Sequence, residues 1–89
     1  MTNVSLRPRA IEGLKTAPQE YRIALRKALD ILEQGLFPSH TKKLGGASHG
    51  YRTRVGRWRI LFVFEDGEID VADIFLKKGR DDYRRRFPK

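Results

Sequence analysis

The apolar positions of this chain change their period once, near residue 50. Ahead of that point they recur at three- and four-residue steps, the spacing of one helix face; beyond it they alternate, as on a half-buried strand. Residues 3–7, NVSLR, read as a short first strand. Pro8 suits the first turn of a helix, and Ala10, Ile11 and Leu14 make one apolar stripe. Gly13 weakens this helix, which is expected to end near Thr16. Pro18 opens a second helix, with Glu20 in its first turn. Its stripe is Leu25, Ala28, Leu29, Leu32 and Leu36, widened by Ala24 and Ile31, while Arg22, Arg26, Lys27, Glu33 and Gln34 take the other face. Gly35 is a natural stop. Residues 36–50, LFPSHTKKLGGASHG, are rich in Gly, Pro and Ser and are expected to be loop.

Three alternating segments follow. Tyr51, Thr53 and Val55 alternate with Arg52 and Arg54, and Trp58, Ile60, Phe62 and Phe64 alternate with Arg59, Leu61 and Val63. Gly56-Arg57 fits a two-residue type II′ turn and Asp66-Gly67 a type I′ turn, so residues 69–76 complete an antiparallel meander. The remainder, KKGRDDYRRRFPK, is polar and basic, either a short final helix or a tail. The pattern predicts an α+β fold in one domain, 1–89: two N-terminal helices packed on one face of a small twisted antiparallel sheet, in the order β-α-α-β-β-β, closed by a short C-terminal helix.

The turn at Gly56-Arg57 sets Val55 against Trp58, and therefore Arg54 against Arg59 and Arg52 against Leu61. Directly opposed side chains share a face. Arg52, Arg54 and Arg59 are expected on one side, with Tyr51, Thr53, Val55, Trp58, Ile60 and Phe62 on the other, under the helices. Opposed like charges destabilise a sheet, and packing does not ask for them. One reading is a solvated face that uses the long apolar stems of arginine. The other is a phosphate-binding face, because guanidinium forks match phosphate oxygens.

Charge favours the second reading. Nineteen Lys and Arg against eleven Asp and Glu give +8 over 89 residues, which suits a polyanionic partner, whether nucleic acid, an acidic protein or anionic lipid, although solubility alone would also use such a charge. The cations cluster, with Lys42, Lys43 and Arg57 near the hairpin and Lys77, Lys78 and Arg80 after the last strand. There is no cysteine, so no disulfide or thiolate metal site is available. No run approaches the ~18 apolar residues of a membrane span and MTNVSLRPRA has no signal-peptide core, so a cytoplasmic location without membrane partners is expected. His40 and His49 lack nearby acids and are expected to be solvated loop residues, with His49 a weak alternative proton carrier. Tyr83 and Phe87 suit either base stacking or anchoring of the chain end, and Trp58 reads as core.

The stretches KKLGG, YRTRVGRWRILFVF and IFLKKGRDDY, in this order and spacing, resemble the RelE/ParE superfamily of bacterial type II toxin–antitoxin toxins. The resemblance runs from NVSL to DDYRRRF. It implies the fold just described and a small, often acidic antitoxin partner. In the RelE branch it implies an mRNA endoribonuclease at the ribosome that needs no metal or other cofactor and leaves a 2′,3′-cyclic phosphate. The family's basic pair falls on Arg52 and Arg54, its next arginine on Arg59, the basic residue ending the last strand on Lys77, and the C-terminal tyrosine on Tyr83. Lys42, Lys43, Arg57, Lys78 and Arg80 are expected to add RNA contacts. Where the best-known RelE members have lysines, Arg52 and Arg54 stand here, and an arginine does not serve as a base. Strict alternation from Asp66-Gly67 puts Asp73 and Lys77 on the helix side, so a bulge or strong twist late in the strand is required for Lys77 to join the arginines, unless the register is shifted by one. A ParE-like inhibitor of DNA gyrase, and an inactive basic RNA- or protein-binding module, remain as alternatives.

Overall fold

The computed structural model describes residues 2–44 and 49–78. Its elements are β1 (Asn3–Leu6), α1 (Pro8–Thr16), α2 (Gln19–Glu33), β2 (Thr41–Lys43), β3 (Gly50–Val55), β4 (Trp58–Glu65) and β5 (Glu68–Leu76). The short C-terminal helix expected from the sequence lies outside the described residues, as do Arg80 and Tyr83.

Local signals fixed the element ends. Pro18 is the residue that caps α2, and its C-terminus closes in a Schellman motif. Gly35 takes φ 81°, its N–H donates to Leu32 O at 2.9 Å, and the Leu36 N–H donates to Ile31 O at 3.2 Å. Leu36 is therefore beyond the helix and largely exposed rather than the last member of its stripe. Arg22, expected on the solvent face, is half-buried and caps the other helix: its Nη2 donates to Ala17 O at 3.0 Å and Lys15 O at 3.3 Å, at the C-terminal end of α1. At the hairpins, Gly56 has φ 62°, and Asp66 and Gly67 have φ 54° and 75°, as type II′ and I′ turns need.

The strands form one sheet in the order β1-β5-β4-β3-β2. The meander is antiparallel, but β1 runs parallel to β5, so the sheet is mixed. Short turns impose antiparallel pairing only on strands adjacent in sequence; β1 is separated from β5 by both helices and the meander, and takes β5's free edge. A strand that the expected order lacked is β2, inside the stretch expected to be loop. It pairs Thr41 with Thr53, Lys42 with Arg52 and Lys43 with Tyr51. The Thr41 and Thr53 hydroxyls lie 2.8 Å apart, and the Arg54 N–H donates to His40 O at 3.2 Å. Three residues, two of them lysine, carry no apolar alternation, and lysine on an edge strand discourages pairing with other chains.

Both helices pack on one face. Ala10, Leu25, Ala28, Leu29 and Leu32 meet Trp58, Ile60, Phe62, Ile69, Val71 and Ile74, all buried. Each large side chain among these contributes about 1.5–3 kcal/mol. Gly13 explains the weak spot in the α1 stripe: a Cβ built there would lie 1.7 Å from the Ile74 carbonyl oxygen. Helix backbone rests directly on strand backbone at this point. Gly→Ala in a helix ordinarily adds up to about 1 kcal/mol of stability. Here the sign should reverse: Gly13→Ala must push α1 off β5 and is expected to cost at least about 2 kcal/mol in denaturant unfolding. An unchanged or raised midpoint would show that the helix does not sit this close.

Candidate functional site

The observed β3–β4 register pairs Arg54 with Arg59, Arg52 with Leu61 and Val55 with Trp58. With Trp58, Ile60 and Phe62 buried under the helices, the three arginines project from the opposite, open face. Lys42, opposite Arg52, joins them from β2.

The last cation arrives through a β-bulge. Phe62 pairs with Val71 but Leu61 pairs with Asp73, which leaves Ala72 as an extra residue on β5. Before the bulge, Ile69 and Val71 face the helices; after it, Ile74 does. The slip moves Asp73, opposite Leu61, and Phe75, opposite Arg59, onto the open face, and with them Lys77 two residues on. This is the irregularity that Lys77 required. Leu61 and Phe75 are buried beside the cations yet outside the helix-side cluster. They replace water with apolar atoms next to the charges, where electrostatic interactions are stronger. Asp73 is also buried, and its Oδ2 is 3.8 Å from Arg9 Nη2, an ion pair reaching in from α1.

Arg52, Arg54, Arg59, Lys42, Lys77 and His40 together line a concavity of about 240 Å³. The opposed arginines point apart, which lowers their repulsion. Arg59 Nη1 donates to Gly56 O at 3.0 Å and Trp58 O at 2.9 Å, so turn carbonyls hold it. Arg54 Nη2 points the other way, to His40 Nδ1 at 3.3 Å. His40 has φ 63°, a left-handed conformation that costs a non-glycine residue about 1 kcal/mol or more.

The expected site residues therefore divide. Arg52, Arg54, Arg59, Lys77 and Lys42 come together. Lys43 pairs with Tyr51 and so shares the helix-side face. Arg57 and Lys78 line a different and larger groove of about 700 Å³, with Tyr21, Trp58 and Leu76 at the α1–α2 junction. That groove holds none of the arginines that share the open face. His40, expected to be a solvated loop residue, is an exposed turn residue that also lines the cationic concavity, while His49 is not among the concavity's described lining residues. Only the strand pairing of β2 could have revealed this, and the sequence gives β2 no signal. Among the described residues, no group of three His, Asp or Glu side chains is placed to hold a metal ion.

No protein-family model matches the sequence, and no curated protein matches it significantly. Solved structures do match the fold. The isolated RelE toxin of E. coli is 18% identical with a TM-score of 0.73, the match covering 96% of this chain and 94% of that one. The RelE–RelB complex of Pyrococcus horikoshii is 25% identical with a TM-score of 0.72, covering 91% of this chain and all of the other. The RelB–RelE antitoxin–toxin complex of Methanococcus jannaschii is 19% identical with a TM-score of 0.72, covering 80% and 87%. Helix pair, sheet order and arginine-bearing hairpin are thus carried on the fold of the RelE-like toxins.

Proposed function

We propose that this chain is the toxin of a toxin–antitoxin pair, and that it cleaves mRNA at the ribosome by metal-independent transesterification. The observation that carries the reading is the convergence of Arg52, Arg54, Arg59, Lys42 and Lys77 on one concavity, against the repulsion between them. A phosphodiester bound in the concavity would set its negative charge beside these cations. The solved RelE–RelB complexes with the same fold support an antitoxin as the protein partner. The RNA 2′-hydroxyl attacks its own phosphate; the guanidinium groups of Arg52, Arg54 and Arg59 stabilise the charge that builds on the phosphate oxygens. Lys77 stands as a proton donor to the leaving oxygen. Tyr83, onto which the resemblance places the family's C-terminal tyrosine, lies outside the described residues and is, with Lys77, a candidate for proton transfer.

The test adds purified protein to translating ribosomes and maps mRNA 5′ ends. Cuts at fixed positions within codons are expected, and Arg59→Ala should slow them about 10²–10³-fold. Intact message accompanied by double-strand DNA breaks would replace this reading with gyrase inhibition.

A second measurement separates function from folding. Arg54 faces a like charge across the hairpin, so Arg54→Ala should leave the melting temperature unchanged or raise it, by about 0.5 kcal/mol of stability. The same variant should lower the salt dependence of single-stranded RNA binding by about 0.7 in the log–log slope, the share of one lost phosphate contact. Lower stability with an unchanged slope would mark Arg54 as structural.

A further inference from the structure

We infer that His40 is the general base of the proposed cleavage, an assignment that rests on the nuclease reading and adds a residue to it. The concavity has six described lining residues, and five of them are arginine or lysine. Arginine does not release its proton in a protein, and a lysine ammonium offers protons rather than a place for one. Imidazole is the side chain whose ordinary titration straddles neutrality. A site that must take a proton from a 2′-hydroxyl has one group of that kind among these six, and it is His40.

Its placement fits the task. Arg54 and His40 are bound twice: the Arg54 N–H donates to His40 O at 3.2 Å, and Arg54 Nη2 is 3.3 Å from His40 Nδ1. The guanidinium can only donate, so Nδ1 accepts and carries its lone pair toward the concavity's arginines. Among the described residues, those that line the concavity with His40 are Arg54 and Arg52 from β3, Arg59 from β4, Lys42 from β2 and Lys77 after β5. When a phosphate draws the Arg54 fork to its own oxygens, the Nδ1 lone pair is released beside the nucleotide it must deprotonate. The positive φ of His40 fits the same role, since strained backbone at a functional residue persists only where its surroundings hold it.

The chemistry balances as follows. The 2′-hydroxyl proton passes to His40 Nδ1 as the 2′ oxygen bonds to phosphorus. The bond from phosphorus to the 5′ oxygen breaks, its electron pair staying on that oxygen, which takes a proton from the Lys77 ammonium. The products are a 2′,3′-cyclic phosphate and a free 5′-hydroxyl. The imidazolium and the neutral amine then return to their starting states by proton exchange with water.

The experiment uses His40→Gly in the full-length chain, because glycine accepts the left-handed backbone without strain. Single-turnover cleavage of mRNA on translating ribosomes is followed across pH, with and without added imidazole. The expected result is a rate about 10²–10⁴-fold below wild type, loss of the rising acid limb of the wild-type pH profile, and partial recovery with imidazole. The melting temperature should be unchanged or higher. A variant that cleaves within about threefold of wild type, or that loses activity without imidazole recovery and with the pH profile intact, overturns the assignment while leaving the nuclease reading standing. A wild-type protein that cuts no message overturns both.

Discussion

The period-two alternation of β3 and β4 leaves the arginines no choice of face. Trp58, Ile60 and Phe62 have to be buried under α1 and α2, and each side chain placed inward forces its neighbours outward. Pairing then sets Arg54 directly against Arg59. The apolar gain from the three buried residues, several kcal/mol in all, outweighs the repulsion between the opposed guanidinium groups. Hydrophobic burial on one side of the sheet thus maintains a charge cluster on the other that would not assemble by itself.

The bulge at Ala72 extends the cluster to a third strand. Without it, strict alternation would carry Lys77 to the helix side and leave Asp73 under the helices, a charged group among apolar ones. With it, apolar side chains continue to meet the helices on both sides of the slip, through Val71 before it and Ile74 after it. One inserted residue reconciles a continuous core with a five-cation concavity. Gly13 serves the same half of β5 from above, since the absence of its side chain lets α1 settle on Ile74.

The concavity shows how electrostatic strain can be held by a fold without being relieved. Arg59 is drawn toward the carbonyls of its own turn, and Arg54 toward an imidazole. These contacts orient the guanidinium groups. On the proposed reading, an anion entering the concavity meets guanidinium groups already oriented by these contacts, and Arg54 turns from His40 to meet it.

Much of this was fixed by residues close in sequence. Pro18 and Gly35 bound α2, Gly56-Arg57 and Asp66-Gly67 set the hairpins, and the alternation of residues 51–64 sorts arginines from core. Even the bulge leaves a trace, because the apolar positions slip phase between Val71 and Ile74. Turn geometry and side-chain periodicity act over a few residues, so a single sequence carries them. What only the tertiary structure decided are contacts that no periodicity announces: β1 parallel to β5, Thr41–Lys43 as an edge strand, the turn of Arg22 back onto the end of α1, and His40 in the wall of the cationic concavity. None of these has a local periodic signature. Each depends on which free edge or unsatisfied group is exposed once the core has formed, and that is a property of the assembled sheet rather than of any stretch of chain.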